Sequence, residues 1–288
     1  MIVHDMLGVS LQSLSAVATG GLSSTIAPGH ECPFSKYVDM NTLFDSATSE
    51  ESASEARTSV IACYRVLRRG ILDGVFPPGE KLRPEFLRHT LGTGTSTLRE
   101  AVSLLIADGL VIAQPQRGFR VAAMSLEDLK DLTESRVLVE TKALRDSIAL
   151  GGDAWEADVV AALHRLRRVE EALEINKDDA ALSSREERNY VFHKALISAC
   201  GSPRLLNLFE VFYAQAERYR RLSVAFHATQ QIATPPRDAQ TEHQEIADAV
   251  LRRDYDTAGA KLERHIRLTY EFVQHFPASF FKRDDTRR

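Results

Sequence analysis

The sequence predicts a mainly α protein in two parts, an N-terminal winged helix-turn-helix and a C-terminal all-α antiparallel helix bundle. Three observations carry that expectation. The 288 residues are 44% hydrophobic and 26% charged, ordinary globular proportions, and their number suits about two domains at roughly 100–200 residues each. Residues 54–122 run in the order helix, helix, helix, hairpin. Beyond Met124 the apolar period is helical almost to the end of the chain.

The net charge of −4 hides an uneven distribution. Residues 1–55 hold one lysine, Lys36, against seven acids, a net −6. Residues 56–122 hold ten lysines and arginines against five acids, a net +5, and the remainder is −3. A basic module between acidic segments suits a nucleic-acid partner. The three cysteines, Cys32, Cys63 and Cys200, are too few and too far apart for a disulfide framework or a four-cysteine zinc site, and they fit a reducing compartment. The longest apolar runs fall well short of the ~20 residues of a membrane span. The opening MIVHDMLG has no basic n-region and is interrupted by His4 and Asp5, so no secretory signal is expected. The expected location is the cytoplasm, at the nucleoid.

The elements follow in order. Residues 1–53 are rich in Ser, Gly, Thr and Ala without a sustained period, and are expected to form a poorly ordered extension; Met40 within it offers an internal start. In SVIACYRVLRRGILDGVF, Val60, Ile61, Tyr64, Leu67 and Ile71 recur at helical spacing, with Arg65, Arg68 and Arg69 on the other side. Asp73-Gly74 ends this helix, and FPPGEKL reads as a turn. RPEFLRHTLG is a short helix closed by Gly92. GTGTSTLREAVSLLIADG is the next, with Thr95 to Thr97 at its start, Gly109 at its end and Leu98, Val102, Leu105 and Ile106 as its apolar stripe. LVIAQPQRGFRVA reads as two short strands around a turn with Pro115 and Gly118. The bundle, residues 123–278, opens on an N-terminal capping signature at Ser125 and Asp128. Further helices are expected near 155–175, 183–200, 203–228, 238–252 and 255–275, broken at Gly151-Gly152, Gly201-Ser202-Pro203, Pro235-Pro236 and Arg253-Asp254. Residues 279–288 read as a polar tail.

The stretch PGEKLRPEFLRHTLGTGTSTLREAVSLLIADGLVIAQPQRGFRV resembles the DNA-binding domain of GntR-type bacterial regulators, with Pro78-Gly79, Leu82, Leu87, Gly92, Leu98-Arg99-Glu100-Ala101, Asp108-Gly109-Leu110 and Arg117-Gly118-Phe119-Arg120-Val121 in register. The recognition helix would offer Thr95, Ser96, Thr97 and Arg99 to the major groove of double-stranded operator DNA. Arg83, and Arg117 with Gly118 at the wing tip, join that set. Thr95 stands where many relatives carry a base-reading arginine, and Gly94 replaces the usual Ser or Thr cap.

Asn189 and His193 lie four residues apart on one helix face, while His243 and His265 sit on the last two helices. Imidazoles from three helices can converge on one divalent ion; the spacing alone fits scattered core histidines better. ERNYVFHKALISACGSPRL, QTEHQEIADAVLRRDYDTAGAKLERHI and ESRVLVETKAL resemble the FCD ligand-binding domain of the FadR-like branch. That resemblance implies a metal at His193, His243 and His265, with Asn189 in the place of an aspartate, zinc before nickel or manganese. It also implies that Arg136 faces the pocket of a small carboxylate effector and that the chain works as a homodimer or a higher homo-oligomer. Glu217-Arg218-Tyr219-Arg220-Arg221 is expected either as a solvated face or as a source of one or two pocket residues. The rival function, a metal-dependent hydrolase built on the same three histidines, would need a general base. Glu140 is only a nominal candidate for it, and no HExxH, P-loop, GxGxxG or nucleophile elbow occurs.

Overall fold

The computed structural model describes residues 55–175, 179–230, 237–277 and 280–281. The extension expected over residues 1–53, the Pro235-Pro236 break and most of the tail lie outside the described residues.

The winged helix consists of α1 (Glu55–Leu72), β1 (Lys81–Leu82), α2 (Pro84–Leu91), α3 (Thr95–Ala107), β2 (Val111–Gln114) and β3 (Gly118–Val121). Its core joins the α1 stripe, Cys63, Leu67 and Ile71, to Leu98, Val102 and Leu105 of α3 and to Leu82, Leu87, Leu110, Val111 and Val121 around them. The sheet order is β1-β3-β2, antiparallel, with Leu82 opposite Phe119 and Gln114 opposite Gly118. The segment read from sequence as a plain turn therefore holds a third strand, because two residues are too few to show a period of two. Arg120 ties the sheet together, donating to the Gln114 side chain at 2.8 Å and to the Gly79 carbonyl at 2.8 Å.

Six helices form the bundle: α4 (Leu126–Leu150), α5 (Asp153–Ile175), α6 (Asp179–Ile197), α7 (Pro203–Gln230), α8 (Ala239–Leu251) and α9 (Tyr255–Val273). The Ser125 hydroxyl accepts from the Asp128 amide at 2.9 Å, and Asp238 and Asp254 cap α8 and α9 in the same way, each filling an orphan donor of a helix start. Arg253, at φ 57°, makes the corner between α8 and α9. Its guanidinium pins that corner to the Ile148 and Gly151 carbonyls and to Glu156. α5 packs on α6 and α8, and α9 packs on α4 and α8, around a core that includes Trp155, Val159, Phe192, Leu196, Phe209, Leu262 and Ile266. A second cluster gathers Leu129, Tyr219 and Phe276 with Phe280. Phe280 is buried edge-to-face on Phe276, so the packed core reaches past residue 278.

One stretch of α7 joins the parts. The Gln215 amide reaches the Asp108 carbonyl at the end of α3 (3.4 Å). Glu217 accepts from Arg68 of α1 at 2.6 Å, and Arg221 pairs with Asp73 just beyond α1. Arg218 donates to the carbonyls of Ala122 and Ala123 in the connection, and the Tyr219 hydroxyl accepts from the Ser125 amide and donates to Asp128. Gly109 sits at φ 70°, where glycine serves the left-handed turn. Glu217→Lys puts a cation against Arg68 and Arg221. Charge-assisted hydrogen bonds are worth ~1.5–3 kcal/mol each, so the winged helix is expected to come loose. Small-angle scattering should show a broader distance distribution in Glu217→Lys and its recovery in Arg68→Glu/Glu217→Lys. An unchanged profile in the single variant would show that these pairs do not hold the docked arrangement.

Candidate effector and metal site, and the DNA-reading face

Local rules place the site's side chains. Asn189 and His193 share a face of α6 one turn apart. His243 sits in the first turns of α8, and His265 lies opposite on α9. All four residues are buried, His243 to 1% exposure. The three imidazoles offer ligand atoms that lie within 4.8 Å of one another, and their ring centroids are 4.6 to 5.9 Å apart. Asn189 donates through Nδ2 to the Tyr213 hydroxyl at 2.6 Å, which leaves its Oδ1 as the group's remaining donor atom for a cation.

The three imidazoles, Asn189 and the arginines Arg136, Arg185, Arg220 and Arg237 line a cavity of about 30 Å³. One water needs ~10–15 Å³ on this measure, so the chamber has room for an ion and a water or two. Arg136 is buried, not on the surface: its Nε donates to Glu140 at 2.8 Å and its guanidinium lies 5.5 Å from the Tyr213 ring centre. Arg220, from the charged run of α7, lies 4.4 Å from the same centre and pairs with the buried Glu186 at 3.0 Å. The run that sequence left open between a solvated face and a pocket thus supplies one chamber residue and four that hold other parts of the chain. Arg185, Arg220 and Arg237 were not singled out from sequence, because arginines in charged helices or loops carry no mark of which way they face.

Burial and the neighbouring charges set the protonation. Desolvation lowers the His193 imidazole to about 4, against the pull of the Glu140 carboxylate 3.4 Å away. Burial, then the other two histidines and Arg237, hold His265 well below the ordinary histidine range. Burial raises the Glu140 carboxyl, but Arg136 and His193 more than offset it and keep it below the usual carboxylate range. The imidazoles of His193 and His265 are therefore neutral, the form that binds metal. Both nitrogens of His243 and Nδ1 of His193 are buried without a hydrogen-bond partner. Orphaned buried polar atoms cost ~1–3 kcal/mol each. Imidazoles orphaned together around a chamber with room for an ion fit a divalent cation of the zinc or nickel kind.

The shifts also change an expectation. From sequence, metal occupancy should fall near the reference histidine value of about 6.5; burial moves the onset for His193 and His265 to more acid pH. In the metal-free chain between about 6.5 and 4, the unfolded state takes up a proton at His193 that the folded state refuses. Stability is then fully present above the unfolded value and falls as pH drops toward the folded one, by on the order of 3 kcal/mol for His193. The urea midpoint of chelator-treated protein should be flat above pH 6.5 and fall below it, with a shallower fall in His193→Phe. An equal fall in His193→Phe would assign the effect elsewhere.

The residues expected to read DNA all belong to the winged helix. Thr95, Ser96 and Arg99 are exposed at the start of α3, and Thr97 is half-buried. Gly94 caps α3 without a side-chain hydrogen bond, so that amide terminus faces outward with its donors available to phosphate. Arg83 is exposed at the start of α2, Arg117 at the wing tip, and Gly118 sits at φ 88°. Among the described residues no carboxylate pairs with Arg83, Arg99 or Arg117, so a structural ion-pair role for Arg99 has no partner.

Comparison with known proteins agrees with both halves. The family described as bacterial regulatory proteins, gntR family, matches residues 62–121, and the FCD domain matches residues 131–268. The chain is 38% identical over 224 residues to the uncharacterized HTH-type transcriptional regulator BphR of Paraburkholderia xenovorans (strain LB400), covering 77% of this chain and 88% of that one. It is 35% identical over 211 residues to the HTH-type transcriptional repressor GlaR of Escherichia coli (strain K12), covering 73% and 94%. Its fold is that of a putative transcriptional regulator GntR from Rhodococcus sp. RHA1, at TM-score 0.58 and 24% identity over 76% of this chain and 99% of that one. These relatives are regulators, which sets aside the hydrolase, and Glu140 is engaged by Arg136 and His193 instead of standing free as a base. The chain belongs to the gntR family of bacterial regulatory proteins, a ligand-responsive transcription regulator and not an enzyme, with a winged helix for DNA and an FCD domain for a small-molecule effector.

Proposed function

We propose that the chain acts as a homodimer on a palindromic operator and that a small carboxylate-bearing metabolite, bound beside a divalent metal in the FCD domain, changes its hold on DNA. Thr95, Ser96, Thr97 and Arg99 enter the major groove, while Arg83 and the wing tip at Arg117-Gly118 hold the flanking backbone. His193, His243 and His265 hold the metal, zinc before nickel or manganese, with Asn189 through Oδ1 as a fourth donor. The metal supplies a positive centre with open positions for one carboxylate oxygen. Arg136 takes the other oxygen by a charge-assisted hydrogen bond. Such a regulator works in the cytoplasm, at the nucleoid. Among the described residues no helix is long and apolar enough to cross a membrane.

The observation that carries this reading is the single helix shared by both ends. Arg220 of α7 lines the chamber, and its neighbours Glu217 and Arg221 hold Arg68 and Asp73 of the winged helix. A ligand that draws Arg220 from Glu186 has a packed, charged path to the DNA-binding part, and through it to the spacing of the two reading helices in a dimer. The test is a gel shift on the DNA upstream of the gene, after a thermal-shift screen of carboxylic acids with and without Zn²⁺. A carboxylate that raises the melting temperature only with zinc, and changes the gel shift, is expected. Zinc-independent binding, or a gel shift that ignores every stabilising acid, would reject the arrangement.

A further inference from the structure

The inner donors of the metal site proposed above are three imidazoles and one amide, set among four arginines. None of these four donors is an anion. In the effector-free chain the charge opposing a 2+ ion must come from another group, and something must hold each imidazole with one nitrogen turned to the chamber.

Three glutamates from three helices stand behind the three rings. Glu140 of α4 lies 3.4 Å from Nδ1 of His193, Glu170 of α5 lies 3.5 Å from Nδ1 of His243, and Glu242 of α8 lies 2.7 Å from Nδ1 of His265. The same nitrogen faces the carboxylate in every case. Each glutamate in turn meets an arginine of the chamber wall: Glu140 meets Arg136 at 2.8 Å, Glu242 meets Arg237 at 2.9 Å, and Glu170 meets Arg185 at 3.7 Å. The site is thus made of three His–Glu–Arg chains.

We propose that Glu140, Glu170 and Glu242 are positioning residues that fix the proton of each imidazole on Nδ1, present Nε2 to the ion, and supply from the outer shell the negative charge that the inner donors lack. This rests on the metal reading of the proposed function. A lone pair on Nδ1 would repel a carboxylate, whereas an N–H donates to it, so a carboxylate behind the ring selects the tautomer and leaves Nε2 as the ligand atom. The arginines hold the carboxylates from the other side and stop them from turning into the chamber to take the ion themselves.

The His243 arm shows the arrangement most plainly. Nδ1 and Nε2 of His243 and Oε1 of Glu170 are all buried without a hydrogen-bond partner. Two of these three orphans face each other at 3.5 Å, and the third is on the far side of the ring. A cation on Nε2 acidifies the Nδ1–H and strengthens its pull on Glu170, so one binding event satisfies all three.

The test uses the full chain and zinc alone, with the dissociation constant read by competition with a chromophoric chelator and the ligand field read on Co²⁺. Glu170→Gln, isosteric and one charge short, should weaken zinc about 10–100-fold, the usual loss for an outer-shell partner, and shift the cobalt band while the metal-free chain melts as before. Asn189→Asp in that background returns a charge to the inner set and should restore most of the affinity. Glu187→Gln, an exposed acid on the same helix as Asn189, should change nothing. An unchanged zinc constant and cobalt spectrum in Glu170→Gln would overturn the outer-shell role while leaving the metal site standing. A wild-type chain that takes up neither ion would overturn the metal reading itself, and this role with it.

Discussion

Arg99→Ala is expected to remove specific operator binding while the fold and the dimer stay intact. Arg99 sits one turn into α3, exposed, with no carboxylate partner among the described residues. Its loss therefore breaks nothing inside the winged helix. The buried stripe of α3, Leu98, Val102 and Leu105, faces the other way. A good arginine contact with a base edge carries ~1–3 kcal/mol. The proposed two-fold dimer loses it at both half-sites, so operator affinity should fall by at least about 30-fold at one salt concentration. The salt dependence separates the two roles. If Arg99 meets phosphate, the slope of log K against log salt drops by about one unit for each phosphate left without its arginine, and affinity falls alike on all sequences. If it reads a base, the slope holds and the preference at one operator position relaxes. Thr95, which stands where an arginine would read a base, makes Arg99 the first long cation along the helix and sharpens the expectation. Wild-type affinity in Arg99→Ala would remove α3 from the reading role.

The winged helix was almost fully legible because its boundaries are written in residues with one conformational use. Gly109 ends α3 at positive φ, and the wing turn needs Gly118 at φ 88°. Strand β1 was not legible, since Lys81-Leu82 gains its ladder only from pairing with β3 across a loop. In the bundle, helix spans followed from period and caps, and the four metal-site positions from a resemblance. Their convergence did not follow from spacing, because His243 and His265 meet only through the packing of α8 on α9. The outer glutamates were the least visible. Glu170 lies in RLRRVEEALE, a run that reads as a solvated face, and only the rotation of α5 turns it toward His243. Glu242 had a weak signal in standing next to His243, but adjacent helical residues point about 100° apart, and its partner is His265, not its neighbour. Arg220 was masked in the same way by Arg218 and Arg221.

His243→Ala should abolish metal binding and the effector response yet leave the metal-free chain near its wild-type stability. Truncating a side chain this deeply buried ordinarily costs 2–5 kcal/mol through poorer packing and a cavity. Here the side chain removed carries two orphaned nitrogens, and an unsatisfied buried group already costs ~1–3 kcal/mol. The two contributions oppose each other, so the chelated variant is expected within about 1–2 kcal/mol of the chelated wild type. His243→Leu fills the space with apolar atoms, omits both orphans and should equal or exceed the wild type when metal is absent. Zinc reverses the order. At a free concentration 1,000 times its dissociation constant, a native-state ligand adds ~4 kcal/mol, and only the chain with three imidazoles gains it. Paired urea titrations with chelator and with zinc give the whole result, and a gel shift without effector should find operator binding retained, because the winged helix has its own core. A large loss of stability in chelated His243→Leu would mean that the imidazole is a satisfied core group and not a ligand. An effector response that survives the loss of all three histidines would place the effector away from the metal.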